Sequence, residues 1–390
     1  MKWSRLSNEE IKKKILSSLE LNYNYDKTPV FGIPGSFLDE KIFYKNANFL
    51  KNAPFLQTLI SNPNHIGCHT LDVAKTEPFF KGTQSVEREV ISICAEEIFQ
   101  AKPNEYDGYV ASGGTEANIQ AIWTYRNYFI NEFNLTPNEI AVVYSKDSHY
   151  SMLKACNMLY MKPCIIEVDN ECREISKNDL NKKVKILINE GVKAFVVVQN
   201  MATTLFGSID DIDETISFFV KNNLKFKLHV DAAFGGFIIP FSKNYLNYSF
   251  NNKFISSFTL DGHKMLQTPY GTGIFLIRKN FLQYVKNEDA KYVKGNDFTI
   301  CGSRSGANAV AIWMTLVAHG SEGWKKNILE LLKRTDHICD ALDALDVKYF
   351  RNKLVNIITI KSSSISTLLA KKYGLVPDNN NGEVNWWKIV

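Results

Sequence analysis

Between residues 105 and 280, short runs of β-branched and aromatic residues alternate with stretches whose apolar positions recur at helix spacing. IAVVYS (140–145), CIIEVD (164–169), AFVVVQN (194–200), FKLHVDAA (226–233), FISSFTL (254–260) and GTGIFLIRK (271–279) read as strands. Residues 176–191 and 210–223 read as helices, the first bounded by Ser176 as N-cap and Gly191 just past its end. Strands that are apolar almost throughout, with helices between them, predict a mostly parallel sheet covered on both faces.

The flanks read differently. The first hundred residues are helical and rich in loops, and Ser7 with Glu10 three positions on has the form of a capping box. From about Gly320 a long helical pattern is followed by short strands such as LVNIITI, which predicts a smaller α+β domain. NWWKIV reads as a strand stopping at the last residue, so the C-terminal domain is expected to be incomplete at its end. The expected domains are an N-terminal segment 1–70, a large domain 71–319 and a small domain 320–390.

Composition narrows the class. Of the 390 residues, 45% are hydrophobic and 22% charged, as in ordinary globular proteins. The net charge of +5 is spread over 46 basic and 41 acidic side chains and forms no block, which gives no case for nucleic acid or a membrane surface. Seven scattered cysteines without a CxxC pair suit reduced thiols in a cytoplasm. The N-terminus has no apolar signal core, and no apolar run approaches the ~18 residues a membrane span requires.

Three stretches carry chemistry. In GYVASGGTEANIQAIW (108–123) a strand runs into Gly113 and Gly114, and a helix opens at Thr115. Helix N-termini present unpaired N–H groups and a positive dipole end, which suits a phosphate; the alternative is a tight turn without a ligand. In LHVDAAFGGF (228–237) Asp231 stands at the carboxyl end of a strand, where open α/β sheets gather ligands; the alternative is a capping Asp. In SFTLDGHKML (257–266) Lys264 follows the next strand, beside a possible structural ion-pair partner, Asp261. An anion-binding turn, a buried acid and a desolvated lysine at one sheet edge are what pyridoxal 5′-phosphate requires: a phosphate site, a partner for the ring nitrogen and an amine for its aldehyde.

SGGTEAN, HVDAAFGG and LDGHKM resemble, in their order, the signatures of the group II pyridoxal-phosphate amino acid decarboxylases. Bacterial histidine decarboxylases and archaeal tyrosine/aspartate decarboxylases are similar in size and in these motifs, over roughly residues 65–325. The resemblance implies a type I aminotransferase-like α/β fold. It implies that Lys264 bears the cofactor, His263 contacts the phosphate with Gly114 and Thr115, Asp231 pairs with the ring nitrogen and Ala233 packs on the ring. His149 in SKDSHYSMLKA matches the His that stacks on the open ring face, and Thr204 in MATTLFGSIDDID matches a neighbour of the ring oxygen. Ser303 in CGSRSGANAV is similar to a residue reaching the partner's phosphate, which implies a homodimer with a shared active site. Tyr292 lies where relatives carry a mobile loop with a proton-donating Tyr.

His65, Cys68 and His69 in HIGCHT have no second cluster at zinc-like spacing, so no metal is expected. In the decarboxylases a similar stretch lies near the substrate mouth, with FFKGTQ (79–84) downstream. Lys81, Thr83 and Gln84 offer donors for a distal carboxylate there, so aspartate and then glutamate are the expected substrates; ordinary helix-cap chemistry is the alternative. Tyrosine, histidine, and another lyase or aminotransferase on the same fold remain open. Relatives often place an Arg near the C-terminus for the substrate's α-carboxylate; this sequence has none there, which leaves Lys388 or another group, or a missing end.

Overall fold

The computed structural model describes residues 3–23, 64–66, 78–242, 247–287, 289 and 296–390. In chain order its strands are β1 (Asn64–Ile66), β2 (Tyr106–Ala111), β3 (Ile140–Ser145), β4 (Lys162–Ile166), β5 (Ala194–Asn200), β6 (Lys225–Asp231), β7 (Ile255–Asp261), β8 (Gly273–Arg278), β9 (Ser303–Ser305), β10 (Tyr349–Phe350), β11 (Ile358–Lys361), β12 (Val376–Pro377) and β13 (Trp386–Ile389). The helices used below are α1 (Asn8–Leu19), α2 (Lys81–Ser92), α3 (Gly114–Phe133), α4 (Ser151–Leu159), α5 (Lys177–Asn189), α6 (Ile212–Lys221) and α7 (Gly306–Ala344). The chain forms two compact units, Met1–Gln120 with Asp261–Glu322 and Ala121–Leu260 with Gly323–Val390.

In the second unit, β4, β3, β5, β6 and β7 lie side by side, every pair parallel. β3 and β5 are buried at every position, which explains why their sequences are apolar without alternation. One face of β3, β4 and β5 packs through Val143, Ile166 and Val197 against Leu180, Val184 and Leu187 of α5 and Phe219 of α6. The expected caps are present: Ser176 accepts from the Asp179 N–H, and Gly191 follows the helix with φ +92°. A small antiparallel sheet, β10-β11-β13-β12, is built on the C-terminal segment, and NWWKIV supplies its third strand. The mostly parallel α/β sheet expected from the pattern is observed here.

In the first unit β2 and β8 pair antiparallel, from Tyr106 opposite Arg278 to Ala111 opposite Gly273. α1 opens on the predicted capping box, with the Ser7 N–H donating to Glu10 Oε2 at 2.8 Å. Its C-terminal end approaches α2 so closely that a Cβ on Gly82 would lie 1.6 Å from the Ser18 carbonyl oxygen, and only glycine fits. Asn22 Oδ1 accepts from the N–H groups of Gly82 and Thr83, at 2.8 and 3.3 Å, and so closes the start of α2.

α7 is broken at Gly320, whose φ of +64° and ψ of +167° are not helical. The N-terminal segment runs along the break. Trp3 Nε1 donates to the Leu316 carbonyl, the Leu6 N–H to Val317 and the Ser321 N–H to Trp3. These bonds satisfy groups that the interruption takes out of the helical ladder. Among the described residues no helix is long and apolar enough to cross a membrane. A Cβ on Gly320 would sit 2.6 Å from the Arg5 nitrogen, in a conformation L side chains rarely adopt. Gly320→Ala is therefore expected to lower unfolding free energy by about 2 kcal/mol. Urea denaturation with an unchanged m-value reads this directly; an unaltered midpoint would contradict it.

Candidate active site

The first unit holds the glycine turn and the lysine. β2 delivers the chain to Ser112, whose N–H and Oγ donate to Glu116 Oε2 at 2.8 and 2.6 Å, and α3 starts at Gly114. The glycines here are required by close approach. A Cβ on Gly114 would lie 2.9 Å from Asp261 Oδ2, and one on Gly273 would lie 2.6 Å from the Gly113 backbone. Behind the turn, Arg304 forms a buried ion pair with Glu87, Nη2 to Oε2 at 3.1 Å. Arg304 also donates to the Val110 carbonyl, while the Val110 N–H donates to Glu87 Oε1 at 2.8 Å, so one pair clamps both polar groups of a β2 residue. No local pattern announces partners 217 positions apart.

At the end of β7 the chain enters a turn pinned by the Gly262 N–H to the Thr272 carbonyl and the Gln267 N–H to the Lys264 carbonyl. Asp261 is buried, with its Oδ2 3.0 Å from Lys264 Nζ and 3.6 Å from His263 Nε2. The structural ion pair considered from sequence is thus present. Asp261 Oδ1 and His263 Nδ1 are buried with no hydrogen-bond partner, and the His263 ring lies 3.6 Å from where a Gly113 Cβ would be. Buried polar atoms without a partner are uncommon, and these two stand ready to bond a polar group beside the turn. Thr115 stands in the first turn of α3, and Ser303 is exposed on β9, which pairs with β1.

The second unit holds Asp231, His149 and Thr204. Asp231 ends β6, between Asn200 of β5 and Thr259 of β7 in the register, and accepts from the Ala233 N–H at 3.1 Å. Lys264 follows Thr259 by five positions in the chain. Two residues before Asp231 on the strand, His229 is fully buried, and burial pushes its pKa down to about 4. Its ring nitrogens contact Ser257 Oγ at 2.7 Å and Thr259 Oγ1 at 3.2 Å.

His149 is half-buried at the start of α4. Its Nδ1 lies 2.9 Å from Ser151 Oγ and 3.3 Å from the Ser151 N–H. His149 and Thr204 line one cavity of about 1050 Å³ with Tyr150, Arg173, Phe206 and Trp386. Thr203 is buried and bonded to Ser208, whereas Thr204 is exposed and its carbonyl accepts from Lys388 Nζ at 3.2 Å. Under this cavity Ser148 Oγ accepts from Asn200 Nδ2 at 2.9 Å, and Asn200 donates twice to Asp210 Oδ2. Asp210 is a carboxyl that sequence reading did not single out.

Tyr292, Cys68 and His69 lie outside the described residues, as does the side chain of His65. Lys81 is exposed, and the Thr83 hydroxyl donates to the Phe80 carbonyl inside the helix start. Gln84, the third of these residues, is buried.

Burial pushes Asp210 up to about 7, against the lowering effect of its bonds from Asn200. A carboxyl that binds its proton more tightly folded than unfolded stabilises the fold at low pH, and that contribution is lost as pH rises through about 7. Asp210→Asn keeps an acceptor for Asn200 but cannot ionise. Thermal midpoints of the variant are expected to fall less than wild type's between about pH 4 and pH 7; parallel curves would contradict this.

Residues 65–350 match the family model described as the pyridoxal-dependent decarboxylase conserved domain. The chain is 46% identical over 388 residues to a tryptophan decarboxylase of Clostridium sporogenes, covering 100% of this chain and 93% of that one. It is 32% identical over 340 residues to a probable L-tyrosine/L-aspartate decarboxylase of Methanosphaera stadtmanae, covering 84% of each. The crystal structure of an L-methionine decarboxylase from Streptomyces sp. 590 superposes with a TM-score of 0.70 over 97% of this chain and 89% of that one, at 18% identity.

Proposed function

The chain belongs to the pyridoxal-dependent decarboxylase family and decarboxylates an amino acid with pyridoxal 5′-phosphate, and from that premise we propose that its substrate is an aromatic L-amino acid, tryptophan before tyrosine. The observation that carries this reading is the full-length likeness to a tryptophan decarboxylase. The aromatic rings of Tyr150, Phe206 and Trp386 around the cavity suit it. For the acidic preference drawn from Lys81, Thr83 and Gln84, Lys81 faces solvent, Thr83 Oγ1 bonds within α2 and Gln84 is buried, and the likeness to a tryptophan decarboxylase favours an aromatic substrate over it.

The residues present fit the cofactor. The close-packed turn at the start of α3 suits a phosphate, and the unpartnered Nδ1 of His263 beside it suits one of its oxygens. Bound pyridoxal 5′-phosphate supplies an aldehyde for an amine and a protonated ring that takes up the electron pair released with CO₂. Lys264 would carry it, Gly114, Thr115 and His263 would bind its phosphate, and Asp231 would keep the ring nitrogen protonated. Ala233 and His149 would bracket the ring, and Thr204 would neighbour its oxygen. Tyr292 would return a proton to the α-carbon. Lys388, whose ammonium reaches the carbonyl of a cavity-lining residue, would hold the substrate carboxylate for which relatives use an Arg. Ser303, exposed on β9, suits contact with a partner subunit's cofactor, so we infer a homodimer with a shared site. Cys94, Cys156, Cys164, Cys172, Cys301 and Cys339 are free thiols, in keeping with a cytoplasmic location.

Release of CO₂ from each of the twenty amino acids tests the proposal. Tryptophan is expected to exceed aspartate in kcat/KM by at least about a hundredfold, because a pocket built for one side-chain chemistry rejects the other by leaving polar groups unpaired. Aspartate or glutamate as the best substrate would overturn it.

A further inference from the structure

Arg173 belongs to none of the motifs, yet it touches both loops that line the cavity. It sits on a short hairpin whose ends, Val168 and Ile175, form an antiparallel bridge. Its backbone has φ +61°, a conformation uncommon for a residue with a long side chain, stabilised by its N–H to the Asp169 carbonyl at 3.1 Å. From there the guanidinium grips Asp147 in a two-pronged bond, Nε to Oδ2 at 3.0 Å and Nη2 to Oδ1 at 2.8 Å. Both side chains are nearly enclosed, 11% and 9% exposed.

Asp147 precedes His149 by two positions. The same guanidinium lies 3.9 Å from the centre of the Phe206 ring, two positions after Thr204. Phe206 is in turn wedged edge-on against Trp386 at 5.5 Å and Phe350 at 5.9 Å. Asn200 and Asp210 hold the intervening Ser148 from below. Arg173 therefore closes a clamp around the segment that presents His149. Only a planar guanidinium can make the two-pronged bond with its edge and stack with its face, so Lys cannot replace it.

We propose that Arg173 is a positioning residue: by tying Asp147 to Phe206 it fixes His149 for the decarboxylation. This rests on the proposed function, under which His149 serves the reaction. The cavity beside the clamp is also lined by the charged side chains Lys146, Lys361 and Asp378.

The experiment compares Arg173→Met, Arg173→Lys, His149→Ala and the Arg173→Met/His149→Ala pair in the full-length enzyme. Arg173→Met is expected to lower kcat by about a hundredfold with KM within about threefold, the signature of a misplaced group rather than a lost binding contact. Arg173→Lys is expected to recover only a small part. In the His149→Ala background, loss of Arg173 is expected to cost about twofold or less, because one side chain acts through the other. In cofactor-free protein, carbethoxylation of His149, mapped by mass spectrometry, is expected to speed up about threefold or more on loss of Arg173, as the segment opens locally.

Wild-type kcat in Arg173→Met, additive losses in the double variant, or unchanged carbethoxylation would each overturn the proposal. If Arg173→Met does not fold, the uncharged pair Asp147→Asn/Arg173→Met is read by the same criteria, since it leaves no lone buried charge. Wild-type protein that releases no CO₂ from any amino acid would instead refute the proposed function, and the carbethoxylation rates would then judge the clamp alone.

Discussion

The constraint on which the second unit depends is the parallel pairing of β5, β6 and β7, continuous between β5 and β6 and shifted once between β6 and β7, at Leu228/His229. Parallel strands end at one edge, where open α/β sheets gather ligands. The register sets Asn200 beside Asp231 and Asp231 beside Thr259. A one-residue slip would turn Asp231 to the opposite face, next to Val230's apolar surroundings, and would carry the following turn with it. The apolar pattern of these strands is therefore also a specification of where the carboxylate points.

Charge is then used to fix loops that apolar packing cannot. In the first unit, Glu87 and Arg304 saturate each other and the polar groups of Val110, just before the glycine turn. In the second, Asp210 and Asn200 hold Ser148, and Arg173 holds Asp147. Burial pushes Asp147 above the usual carboxylate range even though Arg173 is its partner. Such pairs add little net stability against an apolar replacement, but removing one member leaves an uncompensated buried charge. Their use is geometric: they make a loop as definite in position as a strand.

What the sequence made legible follows from locality. β3 and β5 were delimited to the residue, and the caps at Ser7 and Ser176 were readable because a cap is a relation between positions three apart. The glycine turn, Asp231 and Lys264 were readable because each lies at a strand end and their order is distinctive. Arg173, Asp210 and the Glu87–Arg304 pair were not, since their meaning lies in partners tens or hundreds of positions away. Around FFKGTQ the long-range part was hidden in the same way: Gly82 packs against the Ser18 carbonyl and Asn22 closes the start of α2, contacts about sixty positions apart. The cavity lined by His149 and Thr204 was least legible, because it draws residues from several separate segments of the chain.

The central claim is that one amine, that of Lys264, carries the cofactor. Borohydride reduction of the purified holoenzyme locks the cofactor to whichever lysine bears it, and peptide mass spectrometry then reads the position. The account predicts a single reduced adduct on the peptide containing Lys264. An adduct on another lysine, or none at a stoichiometry of about one cofactor per chain, would contradict it.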